Sequence, residues 1–204
     1  MRLAVEIGNK KRKKVMGKKK NLQAGAKPEG QDDSGQNGGT TAEQGGFEEQ
    51  FRTYAKAQPE ILKLRKILLA IGGEQLVAPA SVTRDVPLLV ESGFLMDYPV
   101  TERFMQPHMC HLNSARLFAN GKATAICTGF GLFGGPWVQH SWVLQRQKDG
   151  TNRILETTCK YDRYFGILYW GMLGKFVVKK ELDFYGVKPP AKLEIALTGF
   201  GVKG

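Results

Sequence analysis

Apolar residues recur at helical spacing between positions 61 and 71. Ile61, Leu64, Leu68 and Ile71 fall on one face, and Leu62, Ile67 and Leu69 widen the stripe. Pro59 suits the first turn of this helix and Gly72-Gly73 its end. Upstream, Phe47 to Lys56 reads as a helix broken at Gln58-Pro59, and downstream Val86 to Ser92 reads as a short helix. Tyr98 to Phe104 reads as an extended segment. After Pro107 the pattern is helical again, with Leu112, Ala115 and Phe118/Ala119 on one face and Gly121 as the stop. The period then becomes that of strands. Lys122 to Phe130, Trp137 to Gln145 and Arg153 to Cys159 read as three strands, with Lys148-Asp149-Gly150 as a hairpin signal between the last two.

That turn fixes what can meet across the hairpin. With a three-residue loop and Gly150 left-handed, opposed residues have numbers summing to 298, so Trp142 faces Glu156 and His140 faces Thr158. His140 and Glu156 then share a face as diagonal neighbours, about 7–8 Å apart at the backbone. A two-residue Asp149-Gly150 turn would instead send Glu156 to the opposite face.

Composition divides the chain. Residues 8–46 are rich in Gly, Gln, Asn, Ser, Thr, Lys and acids, and no aromatic precedes Phe47. Such a segment buries too little apolar surface to offset chain entropy. The expectation is a disordered tail over 1–46 and one folded domain over 47–204. The net charge of +11 is uneven, since residues 1–21 carry nine Lys/Arg and one acid. Lys10, Lys11, Arg12, Lys13, Lys14, Lys18, Lys19 and Lys20 form a cationic run that fits an arm for nucleic acid or another polyanion. A solubilising tail or a nuclear-import signal has the same appearance. No apolar run approaches the roughly 20 residues of a membrane span, so no transmembrane segment is expected. Met1 to Ile7 is too short for a signal-peptide core. Three cysteines without paired spacing fit a reducing compartment. The expected location is cytoplasmic, or one reached by a route without a signal peptide.

The chemistry concentrates between residues 106 and 166. Cys110 sits at a helix start, where the dipole and free N–H groups stabilise a thiolate and can hold a developing oxyanion. His140 on a strand can share the thiol proton, and Glu156 on the next can orient the imidazole. Asp149 and Asp162 are rivals for the orienting role, and Asp149 is already explained by the turn. Gln106 is a candidate oxyanion donor. Trp142, Tyr161 and Tyr164 are candidates to line a substrate groove. Tyr161, Tyr164, Phe165, Tyr169 and Trp170 form an aromatic cluster suited to core packing, to a groove or to stacking on bases. Cys127 and Cys159 read as core or strand-end thiols. His108, Cys110 and His111 are all of metal-ligand type, and Cys127, His140 or Cys159 could complete a set. Adjacent Cys110 and His111 diverge on a helix, however, and no C-x-x-C spacing supports a site, so neither metal nor cofactor is expected. Thr128 to Pro136 contains glycines spaced like a phosphate loop but lacks its Lys-Ser/Thr, and reads as a hairpin loop beside the site.

The order and spacing of these residues resemble the transglutaminase-like branch of the papain-like cysteine hydrolases. That branch has a Cys opening a helix, a His in an H-x-W-x strand and an acid in an L-D-x-T strand. His140-Ser141-Trp142-Val143 fits the second element, and Leu155-Glu156-Thr157-Thr158 resembles the third with Glu in place of Asp. The resemblance covers about 50 of the 204 residues. It implies a papain-like α+β fold, with N-terminal helices and a nucleophile-bearing helix packed on an antiparallel sheet. It also implies a Cys110-His140-Glu156 triad acting on a peptide or protein amide, as a peptidase, amidase, deamidase or acyl transferase. The superfamily includes members that have lost catalysis. Two function classes therefore stand. One is a cysteine hydrolase or acyl transferase; the other is a basic nucleic-acid-associated protein on an inactive fold.

Overall fold

The structure is a computed structural model and describes residues 41–198. The cationic run from Lys10 to Lys20 lies outside the described residues. The first helix, α1 (Thr41–Ala57), starts six residues upstream of Phe47, so the expected boundary falls inside it. Pro59 separates it from α2 (Glu60–Ile71), whose buried face is Ile61, Leu64 and Leu68. Then come β1 (Gln75–Leu76), α3 (Asp85–Ser92), β2 (Phe94–Leu95) and β3 (Val100–Glu102). After them lie α4 (Cys110–Ala119), β4 (Ala125–Leu132), β5 (Pro136–Arg146) and β6 (Asn152–Glu156). β7 (Arg163–Trp170), α5 (Gly171–Phe184) and α6 (Ala191–Thr198) complete the described chain.

This is a mixed α+β fold with six helices and a seven-stranded sheet among the described residues. The strand order is β2-β7-β4-β5-β6-β3, with β1 also beside β5. Pairing is antiparallel except for β1 with β5 and β3 with β6. Among the described residues no helix is long and apolar enough to cross a membrane.

All eight residues of β4 are buried because both faces of the sheet are covered. On one face Ile126, Val143, Leu155 and Ile167 pack with Ile61, Leu64, Leu89, Leu112 and Val178 of the helices. On the other, Cys127, Trp142, Leu144, Ile154 and Tyr164 form a second core with Met96. The sequence-read third strand is shorter than expected and ends at Glu156. The expected hairpin loop over Thr128 to Pro136 shrinks to residues 133–135, because the glycines before it lie inside β4.

Those glycines make room. Gly129 pairs with His140 on one side and Gly166 on the other. A Cβ at Gly129 would stand 2.1 Å from the Phe165 carbonyl oxygen, and one at Gly131 would stand 2.4 Å from the Tyr161 ring. At Gly166 a Cβ would meet the Thr128 oxygen at 2.6 Å and the Trp142 ring at 2.7 Å. Backbone cannot yield as a side-chain tip can. Gly129→Ala is therefore expected to cost at least about 3 kcal/mol, the upper end for overpacking. Urea unfolding checks this, and a wild-type midpoint would contradict it.

Candidate active site

The approach to α4 is fixed by two local features. His108 has φ 58°, and among the described residues it is the one non-glycine with positive φ. Such conformations persist where the surroundings impose them. Asn113, fully buried one turn into the helix, donates from Nδ2 to the Gln106 carbonyl at 2.7 Å and ties that loop down. The first helical hydrogen bond runs from Asn113 N–H to the Met109 carbonyl, and no side chain caps the helix start. The N–H groups of Cys110, His111 and Leu112 thus have no helical acceptor.

Strand pairing explains why α4 begins where it does. β6 accompanies β5 over Val143–Arg146, and β1 joins it at Pro136–Trp137. Between these, Val138 to Trp142 pair with β4 alone. His140 and Ser141 point to opposite faces, as successive strand residues must. Yet His140 borders one cleft with Cys110, and Ser141 Oγ lies 2.7 Å from His111 Nδ1. The first turn of α4 therefore sits at the open edge of β5 and meets side chains from both faces.

His140 and Glu156 are 1% and 0% exposed. The three-residue turn forms as required, with Gly150 at φ 83° and the four β5–β6 pairs summing to 298. His140 Nε2 meets Glu156 Oε2 at 2.8 Å, and Tyr164 donates its hydroxyl to the same oxygen at 3.2 Å. Glu156 Oε1 accepts the N–H groups of Thr157 at 2.7 Å and Thr158 at 3.0 Å, with the Thr158 hydroxyl at 3.2 Å. With Nε2 engaged, Nδ1 is the ring nitrogen left for the Cys110 sulfur.

Burial by itself pushes the His140 imidazole down, but hydrogen bonds with Cys110 and Glu156, and their charges, raise it to about 9. Burial likewise pushes Glu156 up, and is outweighed by the His140 bond and charge and the two backbone N–H donors, so it stays below its ordinary value. His111, by contrast, is lowered to about 4 by burial and by the neighbouring His140 charge, against a weaker pull from Asp85. At neutral pH one imidazole is charged and the other is not.

Stability should therefore depend on pH. His140 titrates near 6.5 when unfolded and about 9 when folded, so its contribution to stability is complete below pH 6.5 and is lost as pH rises through about 9. Thermal melting between pH 6 and 10 should show this decline, and His140→Gln should flatten it. An unchanged slope in that variant would refute the assignment.

Cys110 and His140 open on a cleft of about 350 Å³ bordered by Pro107, His108, Gln139, Cys159 and Tyr161 among others. Tyr161 lines it as expected, its ring centroid 4.3 Å from that of His140. Three expectations are corrected. The Gln106 side chain is exposed and does not border the cleft, because its loop is held by its carbonyl; Gln139 is a residue at the cleft. Trp142 is fully buried against Tyr164 in the second core and lines no groove. Tyr164 is buried too, and it holds Glu156 instead. The rivals Asp149 and Asp162 are engaged elsewhere, with Thr151 and Gly134. Asn113, Gln139, the His111–Ser141 pair and the Thr157–Thr158 amides were not singled out from the sequence. Two pairs of adjacent polar residues, Cys110-His111 and His140-Ser141 on successive elements, were the available signal.

His108, Cys110, His140 and Cys159 all border the cleft, yet among the described residues no three His, Cys, Asp or Glu groups gather closely enough to hold a metal ion. Comparison with protein-family models, curated proteins and solved structures finds no match.

Proposed function

We propose that the chain is a papain-like cysteine hydrolase or acyl transferase acting on a peptide-type amide. The observation that carries this reading is a buried imidazole bonded to a buried carboxylate and sharing one cleft with a helix-start thiol. In the reacting form the thiol proton of Cys110 has passed to His140, whose charged ring Glu156 balances. The sulfur adds to the amide carbonyl, and the oxyanion lies against the free N–H groups at the start of α4, that of Cys110 among them. His140 passes its Nδ1 proton to the departing amine, leaving a thioester on Cys110. Glu156 keeps the ring oriented throughout and remains ionised. Water, or a second amine, gives its proton to His140 as it attacks the thioester, and Cys110 is regenerated.

The test is to trap the thioester. The protein is mixed with activated peptide esters and amides, quenched in acid and mapped by mass spectrometry. An acyl group on Cys110, absent in His140→Ala, is expected. Acylation of Cys127 or Cys159 instead would overturn the reading.

The cationic run supports a polyanion contact alongside this chemistry. Deleting residues 1–21 removes nine of the 30 Lys/Arg residues and none of the described residues. Affinity for duplex DNA should fall, most at low salt. Equal binding across a salt series would rule the arm out.

A further inference from the structure

Two of the three cysteines border one cavity. Cys110 and Cys159 both line the cleft beside His140 and are partly exposed, whereas Cys127 is sealed within β4. Cys159 lies on the loop between β6 and β7. Within the described residues, the N–H groups of Cys159 and Lys160 make no hydrogen bond, although those of Thr157 and Thr158 before them are held by Glu156. The Tyr161 ring lies over His140, and Tyr161, His140, Cys110 and Cys159 all border the same cleft. A disulfide needs Cα atoms within about 7 Å, and the unbonded stretch at Cys159 is the segment able to adjust to that distance.

We propose that Cys159 is the resolving thiol for Cys110, making the cleft a site of reversible oxidation by hydroperoxides. This role rests on Cys110 being the reactive thiolate of the proposed hydrolase. The Cys110 sulfur attacks the peroxide O–O bond, taking one oxygen as sulfenic acid while the other leaves as water or alcohol. The peroxide is reduced and the sulfur oxidised by two electrons. The Cys159 thiolate then attacks the Cys110 sulfur, forming the S–S bond and releasing the sulfenic oxygen as water. A dithiol reductant returns both thiols. The disulfide blocks the cleft but spares Cys110 the irreversible step to sulfinic acid.

The full-length protein is treated with hydrogen peroxide, alkylated and mapped without reduction. The expected product is a Cys110–Cys159 cross-linked peptide that dithiothreitol converts back to two thiols. In Cys159→Ser, with Cys159→Ala as a second variant should serine disturb folding, dimedone should trap a sulfenic acid on Cys110. Sulfinic acid there should then exceed the wild-type amount by at least about tenfold. A cross-link to Cys127, or equal sulfinic acid in wild type and variant, would overturn the proposal. Iodoacetamide labelling separates the two readings. A Cys110 that is alkylated readily but never cross-links defeats only the resolving role, while one that resists both reagents defeats the nucleophile as well.

Discussion

Replacing Glu156 by alanine should destabilise the protein by about 3–5 kcal/mol, the cost of leaving a buried charge without its partner. The carboxylate accepts five hydrogen bonds from His140, Tyr164, Thr157 and Thr158, at full burial. Alanine leaves all of these donors unsatisfied. His140 would then lose the bond and the charge through which Glu156 helps raise it, and its titration should fall from about 9. Glu156→Gln separates stability from chemistry. The Gln carbonyl can still accept from Thr157 and Thr158, but its NH2 then faces His140 Nε2. That nitrogen must become an acceptor, which moves the ring proton to Nδ1 and removes the charge. The variant should fold nearly as well as the parent, yet lose amide turnover by about 10⁴-fold, the size of a wrong-tautomer effect in comparable triads. Denaturant unfolding, NMR titration of His140 and turnover assays check the three parts. An alanine variant within about 1 kcal/mol of wild type would show that the carboxylate is not held as described.

Cys110→Ala is expected to remove amide turnover altogether, by about 10⁴-fold or more, as loss of a nucleophile does elsewhere. Its effect on folding should be small. Cys110 is partly exposed at a helix start, so no sealed cavity replaces the sulfur. Turnover with kcat/KM and a thermal melt decide this together. Activity above about a tenth of wild type would remove Cys110 from the reaction.

Much of the site was legible because one turn sets the register. Gly150 takes the left-handed conformation, and the side-chain period of two then carries His140 and Glu156 to one face. The helix at Cys110 was legible from its apolar spacing and its glycine stop. β7 was not, because Tyr164 to Trp170 is apolar on both faces and has no alternation to read. The same two-sided burial explains Trp142 and Tyr164. An aromatic near a strand that carries candidate site residues looks alike in sequence whether it lines a groove or fills a second core. The His111–Ser141 contact joins residues 30 apart, through an open strand edge that no local pattern reveals. The loop before Cys110 depends on a buried amide seven residues away, which is likewise a tertiary fact.

The glycines at 129, 131 and 166 bind the evolution of the site to that of its scaffold. Each vacant Cβ position is occupied by a neighbour's ring or backbone, and those rings include Tyr161 over the imidazole and Trp142 beside it. Gly129 and Gly166 face backbone, which no side-chain change removes, whereas at Gly131, where the nearest atoms all belong to the Tyr161 ring, enlarging the glycine demands a smaller side chain opposite. A smaller side chain in turn alters the floor on which His140 rests. Accepted changes at Gly131 should arrive as a compensating pair, such as Gly131→Ala with Tyr161→Leu, while Gly129 and Gly166 should stay glycine. A homologous chain that had drifted at position 131 would have drifted at position 161 too.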